Sequence, residues 1–223
     1  MAVYTEPGAL ALYDRRGLGW VRVPLEVVVG GNGVECRALV ERGRNPGVLF
    51  LHGYSFRYTV WTETGAVEAP ASLGLSWAAP DMPYGRSTSC TSRTPRIDVN
   101  LAVAGEAARR AGIEQAVVVG ASLGARYAVY LAHSASVKGL VLVGPALGRD
   151  ERAWELARSV RAPVLIVWGD RDRVVRRGAV EKLLNVFPNA RLEVVEGAGH
   201  VVQRDSPEAF REILRKFLEE FTA

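Results

Sequence analysis

Strand-like and helix-like hydrophobic patterns alternate along the chain. Residues 20–29 and 34–41 are rich in Val, and Gly30-Gly31-Asn32-Gly33 joins them, which predicts a β-hairpin with a Gly/Asn turn. Short apolar runs follow at 48–51, 75–79, 116–119, 140–143, 164–168 and 192–195. Uninterrupted runs of this length predict strands buried on both faces. Helical patterns lie between them. Residues 99–111 place Leu101, Val103, Ala104, Ala107 and Ala108 on one side, and 123–133 follows the fifth strand. Segments 152–160, 176–187 and 207–221 are amphipathic; the last opens on Pro207 after Ser206, the expected N-cap. The alternation predicts an α/β chain: a mostly parallel sheet with helices on both faces and an antiparallel edge from the hairpin. In such sheets chemistry gathers beyond the carboxyl ends of the strands.

The 223 residues, 48% of them hydrophobic, suffice for one domain with a buried core. No linker-like tract or internal repeat divides them, so 1–223 is read as a single domain, with 1–18 as an N-terminal extension. The net charge of +4 is scattered: Arg15-Arg16, Arg109-Arg110 and Arg176-Arg177 are pairs, not the dense stripe of a nucleic-acid binder. No nucleic-acid partner is expected, and the basic residues are read as a solvated surface. Cys36 and Cys90 stand in no metal-ligand spacing and are read first as inert thiols, with a disulfide between them left open. The start of the chain lacks the features of a signal peptide, and no run approaches membrane-spanning length. These features predict a cytoplasmic protein without a membrane partner; oligomeric state is not legible.

Gly120-Ala121-Ser122-Leu123-Gly124 fits G-x-S-x-G between a predicted strand and a predicted helix, the context of a nucleophile elbow. A serine hydroxyl needs a base, and the base an orienting acid. Of three histidines, His133 lies two to three helical turns beyond Ser122, and His52 ends the third strand. His200, in Gly197-Ala198-Gly199-His200, follows the last strand and is the candidate base. Trp168-Gly169-Asp170-Arg171-Asp172 supplies two candidate acids. Asp170 is expected to shape the turn, and Asp172, further into the loop, is favoured to reach the imidazole. Negative charge developing on a tetrahedral intermediate calls for two backbone N–H donors. Leu123 is expected to give one and Tyr54 the other, with Ser55 in reserve.

Five segments together resemble the landmarks of the α/β-hydrolase superfamily, in family order. They are Leu51-His52-Gly53, the stretch from Asp81 to Ser87, the pentapeptide around Ser122, Gly169 to Asp172, and Gly197 to His200. Within it, the stretch from His52 to Trp61 is similar to small lidless members of the CCG1-interacting factor B (ABHD14-like) type. The resemblance implies the α/β-hydrolase fold with an eight-stranded sheet, a Ser-Asp-His triad, and no cofactor or metal. Two departures stand out. The loop after Asp81 is one residue shorter than the family's, with Tyr84 beside a single glycine. Only residues 144–162 separate the sixth and seventh strands, room for one helix and no cap domain.

Serine at the nucleophile position, where related dehalogenases and epoxide hydrolases carry aspartate, implies acyl transfer to water. Hydrolysis of small or medium acyl esters is the first expectation; thioester or amide hydrolysis, a lyase or cofactor-free oxygenase, and a non-catalytic binding protein are the alternatives. Ser55, Phe56, Ala121 and Val201 are expected to contact a small-molecule acyl substrate, with Tyr54, Tyr58 and Trp61 as further aromatic walls. For Trp61, core packing is an equally good reading.

Overall fold

A computed structural model describes residues 2–6, 9–12, 24–134 and 136–222. Strands β1 (Ala2–Glu6) and β2 (Ala9–Leu12) form an antiparallel ribbon separate from the main sheet, within the stretch read as an extension. The main sheet contains β3 (Leu25–Gly31), β4 (Val34–Glu41), β5 (Arg44–Leu51), β6 (Leu75–Pro80), β7 (Ala116–Ala121), β8 (Val137–Val143), β9 (Val164–Gly169) and β10 (Ala190–Val195). Its order is β10-β9-β8-β7-β5-β6-β4-β3. Only β4 runs against its neighbours. The expected hairpin is β3–β4. Its strands continue through Gly30 and Gly31, leaving a two-residue turn at Asn32-Gly33, where φ is 51° and 81°. Positive φ at both positions is the turn that matches the twist of the strands it joins. Residues 20–23 of the predicted first strand lie outside the described residues.

The period of two along each central strand divides the core between two faces. Leu49 and Leu51 of β5, Leu140 and Leu142 of β8, and Ile166 of β9 pack with α3 (Ile97–Arg110), α4 (Leu123–Leu131), α5 (Glu151–Ser159) and α6 (Arg177–Val186). Val48, Phe50, Val141, Val143, Leu165 and Val167 face the other way, onto α1 (Val60–Glu63), α2 (Glu68–Ser72), α7 (Val202–Asp205) and α8 (Pro207–Glu219). Burial on both faces is why these strands read as continuous apolar runs. Between β8 and β9 lies α5 and no cap domain.

The structure departs from the sequence reading in several places. Strand β5 begins at Arg44, ahead of the cis Asn45-Pro46 bond and a register irregularity, where Pro and Gly mask the strand pattern. Helices α1, α2 and α7 are four or five residues long, too short to display a helical period. Ser206 does occupy the N-cap of α8, but its hydroxyl makes no capping hydrogen bond. Cys36 and Cys90 are not thiols; they form a disulfide joining β4 to the loop after β6, and no cysteine among the described residues is free. Arg109 and Arg110 both pair with Glu106 on the exposed side of α3. Among the described residues, no helix is long and apolar enough to cross a membrane.

Helix α8 carries its apolar stripe, Phe210, Leu214, Phe217 and Leu218, fully into the second core face. Phe210→Ala should lower the unfolding free energy by about 3–5 kcal/mol, the usual cost of truncating a buried phenylalanine. Urea unfolding followed by circular dichroism checks this.

Candidate active site

Strand β7 ends at Ala121, and the chain turns at once into α4 through Ser122, which holds φ 50° and ψ −114°. A residue other than glycine rarely adopts positive φ, so the turn must be imposed by its surroundings. The Ser122 N–H donates to the Val143 carbonyl at 2.8 Å, and the Ser122 carbonyl accepts from Ala125 and Ala146 N–H groups, each at 3.1 Å. The flanking glycines make the turn sterically possible. A Cβ on Gly120 would lie 2.7 Å from Ala125 Cα, and one on Gly124 2.3 Å from the Leu51 carbonyl oxygen. The hydroxyl is thus raised over the sheet at the N-terminus of α4, where helix geometry favours negative charge.

His200 Nδ1 lies 2.9 Å from Asp172 Oδ2, and His200 Nε2 lies 2.9 Å from Ser122 Oγ. A carboxylate can only accept, so the ring proton sits on Nδ1 and Nε2 is left to accept from the hydroxyl. Asp172 is held on its other oxygen by the N–H groups of Val174 (2.7 Å) and Val175 (2.9 Å). Its side chain is fully buried, whereas that of His200 is 20% exposed. Asp170 works elsewhere. Its Oδ1 accepts the Gly197 N–H at 2.7 Å, tying the loop after β9 to the loop that carries His200. His133 is remote in role, its Nε2 2.8 Å from Ser159 Oγ between α4 and α5.

His200 follows β10 but meets a serine at the end of β7, so its ring must pass over the ends of the strands between. Two glycines clear that route. A Cβ on Gly144, just past β8, would come within 3.1 Å of His200 Nδ1; one on Gly169, ending β9, would lie 2.3 Å from the Ala198 carbonyl oxygen.

The loop after β5, which carries Gly53 and Tyr54, is braced from below by groups that sequence reasoning did not assign. The wholly buried His52 donates from Nδ1 to the Gly53 carbonyl (2.8 Å), which also accepts from Phe56 N–H (3.1 Å). The peptide is planar, so fixing the Gly53 carbonyl also fixes the direction of the Tyr54 N–H. On its other edge, His52 Nε2 is 2.9 Å from both Asp81 Oδ1 and the Met82 N–H. Burial works against ionisation of Asp81, but the hydrogen bond and charge of His52 and the Ser89 N–H outweigh it and hold the carboxyl below its ordinary value. The Tyr84 hydroxyl donates to the His52 carbonyl. Burial, reinforced by Tyr127 and Asp81, pushes that phenol well above its ordinary value, so it keeps its proton. Asn100 of α3 accepts from the Tyr84 N–H and donates to the Thr94 and Arg96 carbonyls, which sets the path of the shortened loop. The motif residues His52, Asp81 and Tyr84 were the available signal for this brace.

Above Ser122 lies a small cleft lined by Gly53, Tyr54, Ser55, Phe56, Ala121, His200, Val201 and Gln203. All four residues expected to contact substrate therefore border it, as does Tyr54, while Leu123 begins α4 beside it. Tyr58 and Trp61 do not. Tyr58 is buried and donates to Glu26 Oε2 at 2.7 Å; Trp61 is fully buried in the core, 5.0 Å from the Phe50 ring. The sequence reading missed Gln203; a lone uncharged polar residue following Val201 and Val202 was its only mark.

A doubly sided, mostly parallel sheet with a serine, histidine and aspartate aligned at its carboxyl edge defines an α/β hydrolase. Residues 68–221 match the model of an alpha/beta hydrolase domain family, and the chain belongs to that family. Its relatives include the rat "Putative protein-lysine deacylase ABHD14B", 32% identical over 180 residues that make up 78% of this chain and 83% of the relative. Mouse ABHD14A is 28% identical, covering 77% of this chain and 70% of the relative. Among solved structures, a "predicted CIB-like hydrolase" of Thermoplasma acidophilum superposes with a TM-score of 0.76 at 24% identity, over 89% of this chain and 99% of that one.

The His52–Asp81 pair is fully buried. Asp81→Ala leaves the Ser89 N–H without its acceptor and should cost about 1–3 kcal/mol at neutral pH. A carboxyl whose folded value lies below its ordinary 3.8 stabilises fully above that value and loses its contribution as pH falls through the folded one. Urea unfolding at several pH values should therefore show the gap between wild type and variant narrowing on acidification below about pH 4.

Proposed function

We propose that the protein is a serine hydrolase that transfers a short acyl group to water through an acyl-enzyme on Ser122. The observation that supports this above all others is the unbroken line from Ser122 Oγ to His200 Nε2 and from His200 Nδ1 to Asp172, each link 2.9 Å. In this reading His200 takes the hydroxyl proton as Ser122 Oγ attacks the acyl carbonyl. The tetrahedral oxyanion is held by the N–H groups of Tyr54 and Leu123. His200 then gives its proton to the leaving group, the carbonyl re-forms, and the acyl-enzyme remains. Water repeats the sequence and releases the acid. Asp172 keeps the ring in the required tautomer and steadies the imidazolium.

The cleft limits the acyl group. At about 80 Å³ and open on one side, it favours a short acyl group over a long one. Esters of short acids are the first substrates to test. Amides form a second reading, favoured by the deacylase name carried by the ABHD14B relatives. No cofactor enters either scheme.

A fluorophosphonate probe should label the wild-type protein at Ser122, and p-nitrophenyl acetate should turn over. Ser122→Ala should abolish both. Asp172→Asn should lower kcat roughly 10⁴-fold with labelling correspondingly slowed. A well-folded wild-type protein that neither labels nor turns over short esters, thioesters or amides would instead be a binding protein on this fold.

A further inference from the structure

Gln203 combines three properties that do not fit a structural role. It is 2% exposed, it borders the cleft over Ser122, and its Oε1 is fully buried with no hydrogen-bond partner. Buried side-chain amides are almost always satisfied, because an unmade hydrogen bond forfeits the water that the group gave up. A glutamine retained only for packing would be satisfied by the protein, or replaced by an apolar residue of the same shape. Its surroundings make the contrast sharper. Val201, Phe56 and Ala121 give the cleft an apolar character, and the adjacent Val202 is buried in the core behind it. Apart from the groups assigned to the reaction, the other polar side chains bordering the cleft, those of Tyr54 and Ser55, are exposed to solvent, which leaves the buried carboxamide as the group placed to distinguish one short acyl chain from another. It stands three residues beyond His200, on α7, and α7 packs on β9 and α8, so it is carried by the same rigid element that anchors the His200 loop. Rotation about its last side-chain bond can turn either the oxygen or the amino group toward the cleft, so it can accept or donate.

Resting on the hydrolase reading above, we infer that Gln203 is the specificity-determining residue of the acyl site, and that the preferred acyl group is a short chain bearing a hydrogen-bonding substituent, a hydroxyl or a carbonyl, rather than a plain alkyl chain. A substrate of this class completes the missing hydrogen bond on binding. A site built around such a bond rejects the analogue lacking it far more strongly than an apolar pocket rejects an extra methylene, because the unpaired buried group remains.

The test compares p-nitrophenyl 3-hydroxybutyrate with p-nitrophenyl butyrate, which differ only by the hydroxyl. Their hydrolysis by hydroxide supplies the intrinsic reactivity ratio. In the wild-type protein the kcat/KM ratio, hydroxylated over plain, should exceed that reference at least tenfold. In Gln203→Met and Gln203→Leu it should fall to within about threefold of the reference, while the melting temperature holds or rises because an unsatisfied buried group has been removed. A wild-type ratio equal to the reference, or a ratio that both folded variants retain, overturns the inference and leaves the hydrolase reading intact. Absence of turnover and of fluorophosphonate labelling in the wild type overturns the hydrolase reading, and this inference with it.

Discussion

Ser122 is held at φ 50° and ψ −114°, a conformation that costs a residue with a side chain about 1–3 kcal/mol. Such a cost persists only where the surroundings over-determine the backbone. Here they do so from three directions: the Val143 carbonyl fixes its N–H, Ala125 and Ala146 fix its carbonyl, and the close approaches of Gly120 and Gly124 leave the chain no other path. Much of the neighbouring architecture follows from that one turn. Strand β5 must lie beside β7 so that the Leu51–His52 backbone can pass under Gly124, which brings the Gly53–Tyr54 loop next to the hydroxyl.

A second layer lies beneath the first. His52, Asp81, Tyr84 and Asn100 contact one another and the loop backbones, and none of them lines the cleft. They explain how a short loop without regular structure can hold a peptide plane in a fixed direction: the Gly53 carbonyl is held by His52 from the buried side and by the Phe56 N–H from within the loop. The disulfide between Cys36 and Cys90 adds a covalent tie to the same segment, next to Ser89, whose N–H holds Asp81.

Much of this was legible in the sequence, because periodicity and turn chemistry are local. Five of the apolar runs are buried strands; the sixth, at 192–195, lies on the edge strand β10, which leaves Val194 exposed, and the longer helices are visible by their spacing. The elbow, the acid loop and the histidine loop were visible as glycine-flanked motifs at predicted strand ends, which is how Ser122, Asp172 and His200 could be named together. What escaped was decided by long-range contact. Trp61 and Phe56 share a segment and an aromatic character, yet one enters the core against Phe50 and the other the cleft. The Cys36–Cys90 bond joins residues 54 apart in sequence, which no spacing rule would pair. The role of His52 depends on a carboxylate from the next strand. Gln203 is conspicuous only once its missing partner can be seen.

The route of His200 over the ends of β8 and β9 has one more consequence. Serine, aspartate and histidine are contributed by β7, β9 and β10, three different strands, and their spacing is set by how those strands twist past one another rather than by any lid or mobile arm. The reactive geometry is therefore a property of the sheet as a whole. A shift in the packing of any one of these strands changes the spacing of all three groups.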